Sequence, residues 1–295
     1  MKPGRASRTA QHMALFRAME SSRPQRSRLF YDPFATLFLK PSFQLVLALS
    51  RVPILGKVVP LVIDTIAPGA RSSAIARTRL IDDLLHTALR DGLEQLVILG
   101  AGYDCRAYRI PELEQLRAFE VDHPDTVAEK RRVLPTSPSH VRFVSVDFNR
   151  QSAGEALAAV DYNPAGRTFF IWEGVTNYLS APAVDKTLRW LGTAAPGSWV
   201  AVTYVHRSVL EHPGEFYGAT RLLQTFERLG EPWLFGLDPA ETASYLGARG
   251  LSLVEDIGAA EYRSRYLIDR GERMQGYEFY RVAFARVAAE HQGAV

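Results

Sequence analysis

Apolar runs of strand length alternate with amphipathic segments along the last two thirds of the chain. Most of the runs contain few polar residues, which is typical of strands buried on both faces of a parallel sheet. The predicted strands are Leu96–Leu99, Ala118–Val121, Val141–Val146, Thr168–Trp172 and Trp199–Tyr204. Segments with a helical pattern follow them at Pro124–Leu134, Gly154–Ala159, Ala181–Ala194 and Pro239–Gly250. This alternation predicts an α/β fold with a doubly wound, mostly parallel sheet and helices on both faces.

Two further strands are predicted late in the chain, at Leu251–Ile257 and Tyr280–Arg286. They are far enough apart to form an antiparallel pair with an insertion between them, which brings the sheet to seven strands. We therefore expect one α/β domain over residues 71–295. Within it, the aromatic-rich segment at about 206–236 follows the fifth strand and is expected to form a lid.

The segment before the first strand is helical in pattern. Ala70–Arg90 carries an apolar stripe at helical spacing and ends at Asp91-Gly92, a typical stop signal. A helix is also expected at Thr9–Glu20, and Asp32–Ala67 has a helical pattern interrupted by prolines. We expect residues 1–70 to form a helical cap on the α/β domain.

The most apolar stretch, Phe43–Ala67, does not have the pattern of a membrane span. A span needs about 20 largely uninterrupted apolar residues, so the stretch predicts short packed helices instead. The interruptions are Arg51, Pro53, Lys57, Pro60 and Asp64. The N-terminus is basic and polar and lacks the apolar core of a secretory signal. These features predict a cytoplasmic protein with no membrane partner.

Composition restricts the function only broadly. The chain has 295 residues, with 47% hydrophobic and 23% charged residues, as ordinary globular proteins do. The formal net charge of +3 is too small to indicate a nucleic-acid partner. The single cysteine, Cys105, excludes an internal disulfide and a cysteine-based zinc site, and no metal is expected. We interpret Cys105 as a small residue beside a loop rather than as a nucleophile.

A glycine turn ends the first predicted strand and indicates a cofactor site. Gly100-Ala101-Gly102 lets the backbone turn sharply and approach a ligand closely. The dinucleotide fingerprint would have a third glycine where this chain has Cys105. This departure favours a nucleoside cofactor without a pyrophosphate, such as S-adenosylmethionine.

Acidic residues end the next two strands, where ligands bind in open α/β sheets. Asp122 follows Gly102 by 20 residues, the spacing at which a carboxylate accepts hydrogen bonds from ribose hydroxyls. Glu120 points the same way along the strand and is the competing candidate. Asp147 and Phe148 end the third strand and suit the amino group and the flat face of adenine.

The fourth and fifth strands end in residues that suit the reactive end of such a cofactor. Glu173 follows the fourth strand and could accept a hydrogen bond from the methionine ammonium, or it could be structural. Tyr178, Tyr204 and His206 lie at or beyond these strand ends and are candidates for the acceptor pocket. His206 is the one evident candidate for a general base, and a plain polar role at a strand exit is equally open.

These motifs together resemble the leucine carboxyl methyltransferase family, and in particular its bacterial branch of small-molecule O-methyltransferases, which includes polyketide carboxyl methyltransferases. The resemblance spans nearly the whole chain, and its most specific part is the string from Gly100 to Arg109. The other matching segments are residues 9–10, 17–21, 32–35, 75–83, 120–124, 146–148, 172–179 and 230–233.

The resemblance implies a Rossmann-like fold that uses S-adenosylmethionine and releases S-adenosylhomocysteine. It places the family's arginine for the methionine carboxylate at Arg77, with Arg79 as the alternative. A planar guanidinium meets a carboxylate with two parallel hydrogen bonds. The resemblance also implies that the remaining cofactor contacts come from Gly100, Ala101, Gly102, Asp122, Asp147, Phe148 and Glu173. Asp104 and Arg106 are expected to fix the loop through an ion pair.

The expected function is methyl transfer to a carboxyl or hydroxyl oxygen of a small, partly aromatic or apolar molecule, with a role in secondary metabolism. A carboxylate acceptor needs no base, whereas a phenol benefits from one. A protein C-terminal carboxyl group and an RNA are the alternative acceptors, and a binding module without catalytic activity is a third possibility. The pattern does not determine the oligomeric state.

Overall fold

The computed structural model describes residues 8–147, 151–270 and 274–288, and a seven-stranded sheet lies at its centre. The strands are β1 (Gln95–Leu99), β2 (Arg117–Asp122), β3 (Val141–Ser145), β4 (Thr168–Trp172), β5 (Trp199–Val205), β6 (Leu251–Gly258) and β7 (Tyr280–Val287). Their order across the sheet is β3-β2-β1-β4-β5-β7-β6. Strands β1 to β5 run parallel, and β7 is antiparallel to both β5 and β6. The predicted fold is confirmed.

Alternate side chains of the central strands pack into two separate apolar layers, one on each face of the sheet. Leu96 and Ile98 of β1 pack into the layer that also contains Leu85, whereas Val97 and Leu99 pack into the opposite layer. All of β1 is buried. This arrangement follows from the two-residue period of a strand and explains why the central runs lack polar residues.

Helices cover both faces of the sheet and precede it. Helix α4 has the predicted limits, while α8 and α11 end up to three residues inside theirs, because an apolar period does not fix helix ends. The helices are α1 (Arg8–Ser21), α2 (Pro41–Ser50), α3 (Leu55–Ile66), α4 (Ala70–Arg90), α5 (Arg106–Arg109), α6 (Pro124–Val133), α7 (Ala153–Ala158), α8 (Ala181–Leu191), α9 (Arg207–Glu211), α10 (Ala219–Leu229), α11 (Thr242–Gly247) and α12 (Ala259–Leu267).

Helix α1 is tied to the loop after β1. The Nε of Arg17 lies 2.9 Å from Oδ2 of Asp32, and its Nη2 donates to the carbonyl oxygen of Tyr103 at 2.5 Å. The ring of Phe38 stacks on Tyr103 with centroids 4.5 Å apart. The N-terminal helices therefore reach the carboxyl ends of the parallel strands.

Helices α2 and α3 pack less than the sequence predicts. Both helices form within the apolar stretch, as expected, but α3 contains no buried residue and α2 buries only Leu47. One face of the pair is exposed and apolar. None of the helices in the described ranges is both long and apolar enough to cross a membrane.

Candidate functional site

A cavity of about 670 Å³ opens at the carboxyl ends of β1, β2 and β4. The chain adds β2 and β3 on one side of β1 and then β4 and β5 on the other side. Ligands bind at the point where the strand order changes direction in this way. The lining comes from the strand ends, from α1 and α4, and from late segments. Its residues include Met13, Arg77, Gly100, Ala101, Gly102, Asp122, Asp147, Glu173, Asn177, Tyr178, Phe226, Glu231, Trp233, Tyr277 and Tyr280.

The glycine turn forms a tight floor for this cavity. Gly100 has a φ of 67°, and a Cβ there would lie 2.4 Å from Cγ2 of Val175. Gly102 has a φ of 45°, and its N–H donates to Oδ2 of Asp122 at 2.6 Å. The other carboxylate oxygen of Asp122 accepts from the N–H of His123 at 2.6 Å. The turn and the acid are therefore fixed to each other, and each carboxylate oxygen can accept a further hydrogen bond.

The two acids of β2 have different surroundings. Asp122 lines the cavity, whereas Glu120 is buried and lies 2.7 Å from Nζ of Lys130. Burial raises the pKa of Glu120 to about 7, although Lys130 acts in the opposite direction. Burial also raises the pKa of Asp122 above its ordinary value. Asp147 lines the cavity as predicted for a cofactor residue, and Phe148 lies outside the described residues.

Arg77 is held at one end of the cavity by a carboxylate and a ring. Its Nε donates to Oε1 of Glu173 at 2.7 Å, and its guanidinium carbon lies 4.6 Å from the ring centroid of Tyr280. Burial works against the charge, but Tyr280 and Glu173 raise the pKa of Arg77, so the group stays cationic. Arg79, the alternative position, pairs with Asp83 and does not line the cavity.

Arg106 is the centre of a buried ion-pair network beneath the loop. It bonds Asp82 at 2.9 Å and Glu173 at 2.9 Å, and it also pairs with Asp104. Burial opposes ionisation of Glu173, but Arg106 and Arg77 lower its pKa, so it remains a carboxylate. The predicted Asp104–Arg106 ion pair is present, and it belongs to a larger network that the sequence did not reveal.

Another part of the cavity wall is built from aromatic side chains. The ring of Trp233 stacks on Phe226 with centroids 5.2 Å apart, and Tyr178 meets Phe226 edge-on at 6.3 Å. Tyr277 and Tyr280 also line the cavity, and Tyr280 lies where this wall meets Arg77. Burial raises the pKa of Tyr178 to about 12, so its hydroxyl keeps its proton at neutral pH.

Two buried polar atoms of this aromatic wall have no hydrogen-bond partner among the described residues. They are Oδ1 of Asn177, an acceptor, and Nε1 of Trp233, a donor that interacts with the hydroxyl of Tyr178 without a well-formed hydrogen bond. The backbone fixes both segments, because the carbonyl oxygen of Asn177 accepts from the N–H of Leu234 at 2.6 Å. Leaving buried polar groups unpaired is costly, so such atoms beside a cavity are suited to a ligand.

A hydrogen bond joins α1 to the segment after α10 across the aromatic end. Oγ1 of Thr9 donates to Oε2 of Glu231 at 3.1 Å. Both residues line the cavity. Part of the expected lid segment, residues 226–234, thus contributes to the cavity wall together with α1.

Two of the three residues predicted for the acceptor pocket lie elsewhere. Tyr178 lines the cavity, but Tyr204 is buried in the other layer of the sheet, where its hydroxyl donates to Asp256 at 2.6 Å. Its strand neighbour Thr203 is also buried, and its hydroxyl oxygen accepts from the N–H of Gly174 at 2.8 Å. His206 begins α9 and accepts from the N–H of Ser208 through Nδ1 at 3.1 Å.

Several cavity residues were not found from the sequence as site residues. Asn177 lies inside the segment 172–179 that carries the family resemblance. The motif therefore contained this residue, although its neighbour Tyr178 was predicted for the acceptor pocket instead. Met13, Tyr277 and Tyr280 come from distant parts of the chain, and their local sequence contains no motif. No group of three or more His, Cys, Asp or Glu side chains within the described ranges could hold a metal ion.

Comparisons with known proteins show the family and the fold of this chain. A family model described as leucine carboxyl methyltransferase matches residues 10–192. A Frankia alni protein, named provisionally as an S-adenosyl-L-methionine-dependent methyltransferase, is 36% identical over 69% of this chain and 70% of its own. A Streptomyces coelicolor protein with the same kind of name is 34% identical over 77% of this chain and 81% of its own. A crystal structure from Thermobifida fusca, named provisionally as a methyltransferase, has the same fold. It covers 92% of this chain and 97% of its own at 20% identity, with a TM-score of 0.60.

Proposed function

This chain belongs to the leucine carboxyl methyltransferase family and is an S-adenosylmethionine-dependent methyltransferase, and we propose that it methylates an oxygen atom of a small, partly aromatic molecule. The observation that carries the proposal is a single cavity with an ionic, glycine-floored half and an aromatic half. We call them the polar half and the aromatic half. The first suits a charged nucleoside cofactor and the second suits the acceptor.

The polar half has the groups that S-adenosylmethionine requires. Arg77 would bind its carboxylate, and Glu173 would accept from its ammonium group, since each carboxylate oxygen has a second lone pair. Gly100, Ala101 and Gly102 would allow close approach, and Asp122 would accept from the ribose hydroxyls. Asp147, together with Phe148, would hold the adenine. When bound, the cofactor supplies a methyl group that its sulfonium already activates.

The charges of the cavity favour a neutral hydroxyl acceptor over a carboxylate. A carboxylate acceptor would meet the cofactor sulfonium but no uncommitted cation among the described residues of the protein, and burying a carboxylate without a protein cation costs several kcal/mol. Four arginines line the cavity, and each already forms an ion pair with at least one carboxylate. Arg17 pairs with Asp32, Arg77 with Glu173, and Arg109 with Asp82. Arg106 pairs with Asp82, Asp104 and Glu173. Arg77 would also be occupied by the cofactor.

The aromatic half would orient the acceptor and exclude water. Phe226 and Trp233 offer flat apolar faces to a ring. Nε1 of Trp233 can donate to the acceptor and Oδ1 of Asn177 can accept from its hydroxyl, which would hold the reacting oxygen in one orientation. As the methyl group is transferred, the sulfonium would become a neutral thioether and the hydroxyl proton would be lost to solvent. Tyr178 keeps its proton and serves as a donor rather than as a base.

The proposal is tested by a methyl-transfer screen with isotopically labelled S-adenosylmethionine. Matched pairs such as a naphthol and the corresponding naphthoic acid separate hydroxyl from carboxyl acceptors. A peptide with a C-terminal leucine and a structured RNA represent macromolecular acceptors. We expect the naphthol-type compounds to be labelled at least about tenfold faster than the acids. The reason is that the carboxylate of an acid would be buried without a free cation from the described part of the chain beside it. Faster transfer to acids, peptide or RNA would overturn the proposal.

A further inference from the structure

Exposed apolar side chains are concentrated on helices α2 and α3. Nine of the sixteen large apolar side chains that are exposed in the described ranges lie within residues 45–66. We call them the hairpin face. They are Leu45, Leu49, Val52, Ile54, Leu55, Val58, Leu61, Val62 and Ile66. Scattered exposed apolar residues are normal, but a contiguous patch marks an interaction surface.

The hairpin face is continuous along α3. Ile54, Val58, Leu61 and Val62 follow at intervals of four, three and one residues, which places them on one side of a helix. The most exposed of them, Ile54, lies in the connection between α2 and α3 and is 77% exposed. The other three are 45–65% exposed, so the rest of the described chain does not cover this side of α3.

The charges around the hairpin face are positive. Lys40, Arg51 and Lys57 are exposed at its borders. The one acid between residues 40 and 67 is Asp64, and both of its carboxylate oxygens accept from Arg71, at 3.2 and 2.9 Å. An apolar face bordered by cations, with its acid already neutralised, is complementary to a surface with an apolar interior and negatively charged groups at its boundary.

We propose that the hairpin face docks the protein on the surface of an anionic lipid membrane. An amphipathic helix can lie in the interface with its apolar side among the acyl chains and its lysines and arginines at the phosphates. Helix α3 has 12 residues, which is too few to cross a membrane, but binding in the plane of the interface does not require it to cross. A second copy of the chain fits less well, because a two-fold contact would bring Arg51 and Lys57 of both copies together.

Docking there would also place the cavity close to the lipid. Helix α3 leads through Pro68 and Gly69 into α4, whose Ala70 and Ala74 line the cavity. Apolar acceptors partition into membranes, so a cavity close to the lipid would bind them more readily. This consequence rests on the proposed function, whereas the docking itself does not. The sequence predicted no membrane partner because it contains no span, and a docking face lacks that signature.

The docking is tested by vesicle flotation of the full chain, which does not depend on the methyl acceptor. The vesicles contain either phosphatidylcholine alone or equal parts of phosphatidylcholine and phosphatidylglycerol. We expect wild type to float with the anionic vesicles and to be released by high salt. The double variant Ile54→Glu, Val62→Glu should lose at least about tenfold in bound fraction. The matched control Val254→Glu, Ile268→Glu changes residues that are 56% and 60% exposed elsewhere, and it should bind like wild type.

The remaining measurements decide between occupants. A third variant, Arg51→Ala, Lys57→Ala, keeps the apolar face and should bind anionic vesicles several-fold more weakly. S-adenosylhomocysteine titration checks that every variant is folded. Wild type that fails to float, that binds neutral vesicles equally well, or that loses binding equally in the control variant would overturn the proposal. A wild-type dimer that the Ile54→Glu, Val62→Glu variant converts to a monomer would also overturn it, because a second copy would then cover the face.

Discussion

The two halves of the cavity are held in different ways. In the polar half, Gly102, Asp122, Arg77, Glu173 and Arg106 are linked by ion pairs and hydrogen bonds between 2.6 and 2.9 Å. In the aromatic half, ring contacts dominate, and two buried polar atoms lack a partner within the described part of the chain.

This difference indicates what each half can tolerate. Directional hydrogen bonds and buried charges fix one geometry and lose much of their value when one partner is removed. Ring packing depends mainly on shape and area, so it adapts to different partners. We infer that the polar half is specific for one cofactor and that the aromatic half determines which acceptor is used.

The largest effect is expected for Arg106, the centre of the polar half. Arg106→Leu leaves Asp82, Asp104 and Glu173 without the cation that they share, so the free energy of unfolding should fall by about 3–5 kcal/mol. Urea denaturation measures it. Arg189→Leu removes an exposed ion pair and should cost less than about 1 kcal/mol. Similar small losses in both variants would mean that the network does not hold this half together.

The next effect concerns Arg77 and the methionine end of the cofactor. Arg77→Gln should raise the dissociation constant of S-adenosylhomocysteine about 100-fold, or roughly 3 kcal/mol, because a bidentate charged contact is lost. Isothermal titration calorimetry measures it. Arg79→Gln is the matched control two residues away and should leave the affinity unchanged. A larger effect of Arg79→Gln than of Arg77→Gln would show that Arg79, rather than Arg77, binds the carboxylate of the cofactor.

The buried pair behind the glycine turn should make stability depend on pH. The pKa of Glu120 is about 7 in the folded chain because of burial, against an ordinary value of 4.5. Between these values the folded chain holds a proton that the unfolded chain releases, so the free energy of unfolding should fall as the pH rises, by about 3 kcal/mol over the whole interval. Urea denaturation across this pH range should show a steeper fall in wild type than in Glu120→Gln, which retains only the contribution of Asp122. Parallel curves for the two proteins would show that Glu120 is ionised throughout.

A smaller effect is expected at the ribose position. Asp122→Asn keeps the shape of the side chain but removes its charge, and it should weaken S-adenosylhomocysteine binding about tenfold. Calorimetry again provides the measurement. Glu120→Gln, on the same strand but outside the cavity, should retain wild-type affinity. Unchanged affinity in Asp122→Asn would exclude Asp122 as the ribose ligand.

The smallest effect tests the aromatic half. Trp233→Phe keeps the stack on Phe226 but removes the Nε1 donor, so KM for the acceptor should rise about three- to fivefold while cofactor affinity stays constant. Steady-state kinetics and calorimetry measure the two quantities. Trp199→Phe removes a buried, unpartnered Nε1 that lies outside the cavity and should leave KM unchanged. A change in cofactor affinity for Trp233→Phe would contradict the division into two halves.

The sequence predicts the polar half far better than the aromatic half. Gly100, Asp122 and Glu173 each follow a buried strand directly, so the strand pattern alone places them at one edge of the sheet. The aromatic half combines residues 9–13, 177–178, 226–234 and 277–280. No local period relates such distant segments, and only tertiary packing brings them together.

The misplaced acceptor candidates illustrate the same limit. Tyr204 lies at a strand exit, but successive side chains of a strand face opposite layers, and Tyr204 packs into the layer that does not reach the cavity, whereas Thr203 bonds Gly174 of the cavity lining. His206 has the chemistry of a base but begins a helix, where its Nδ1 accepts from the backbone. In the same way, the apolar pattern of residues 43–67 predicted helices correctly and could not show which of their faces stays exposed.

Strand β7 comes last in the chain and yet lies between β5 and β6. During synthesis on the ribosome, the gap beside β5 can therefore close only after residues 280–287 have been translated. Tyr280, which lies against Arg77, is delivered with that strand. A nascent chain thus lacks part of the cavity lining until translation has passed this point, so the cavity is completed only when the whole sheet has been made.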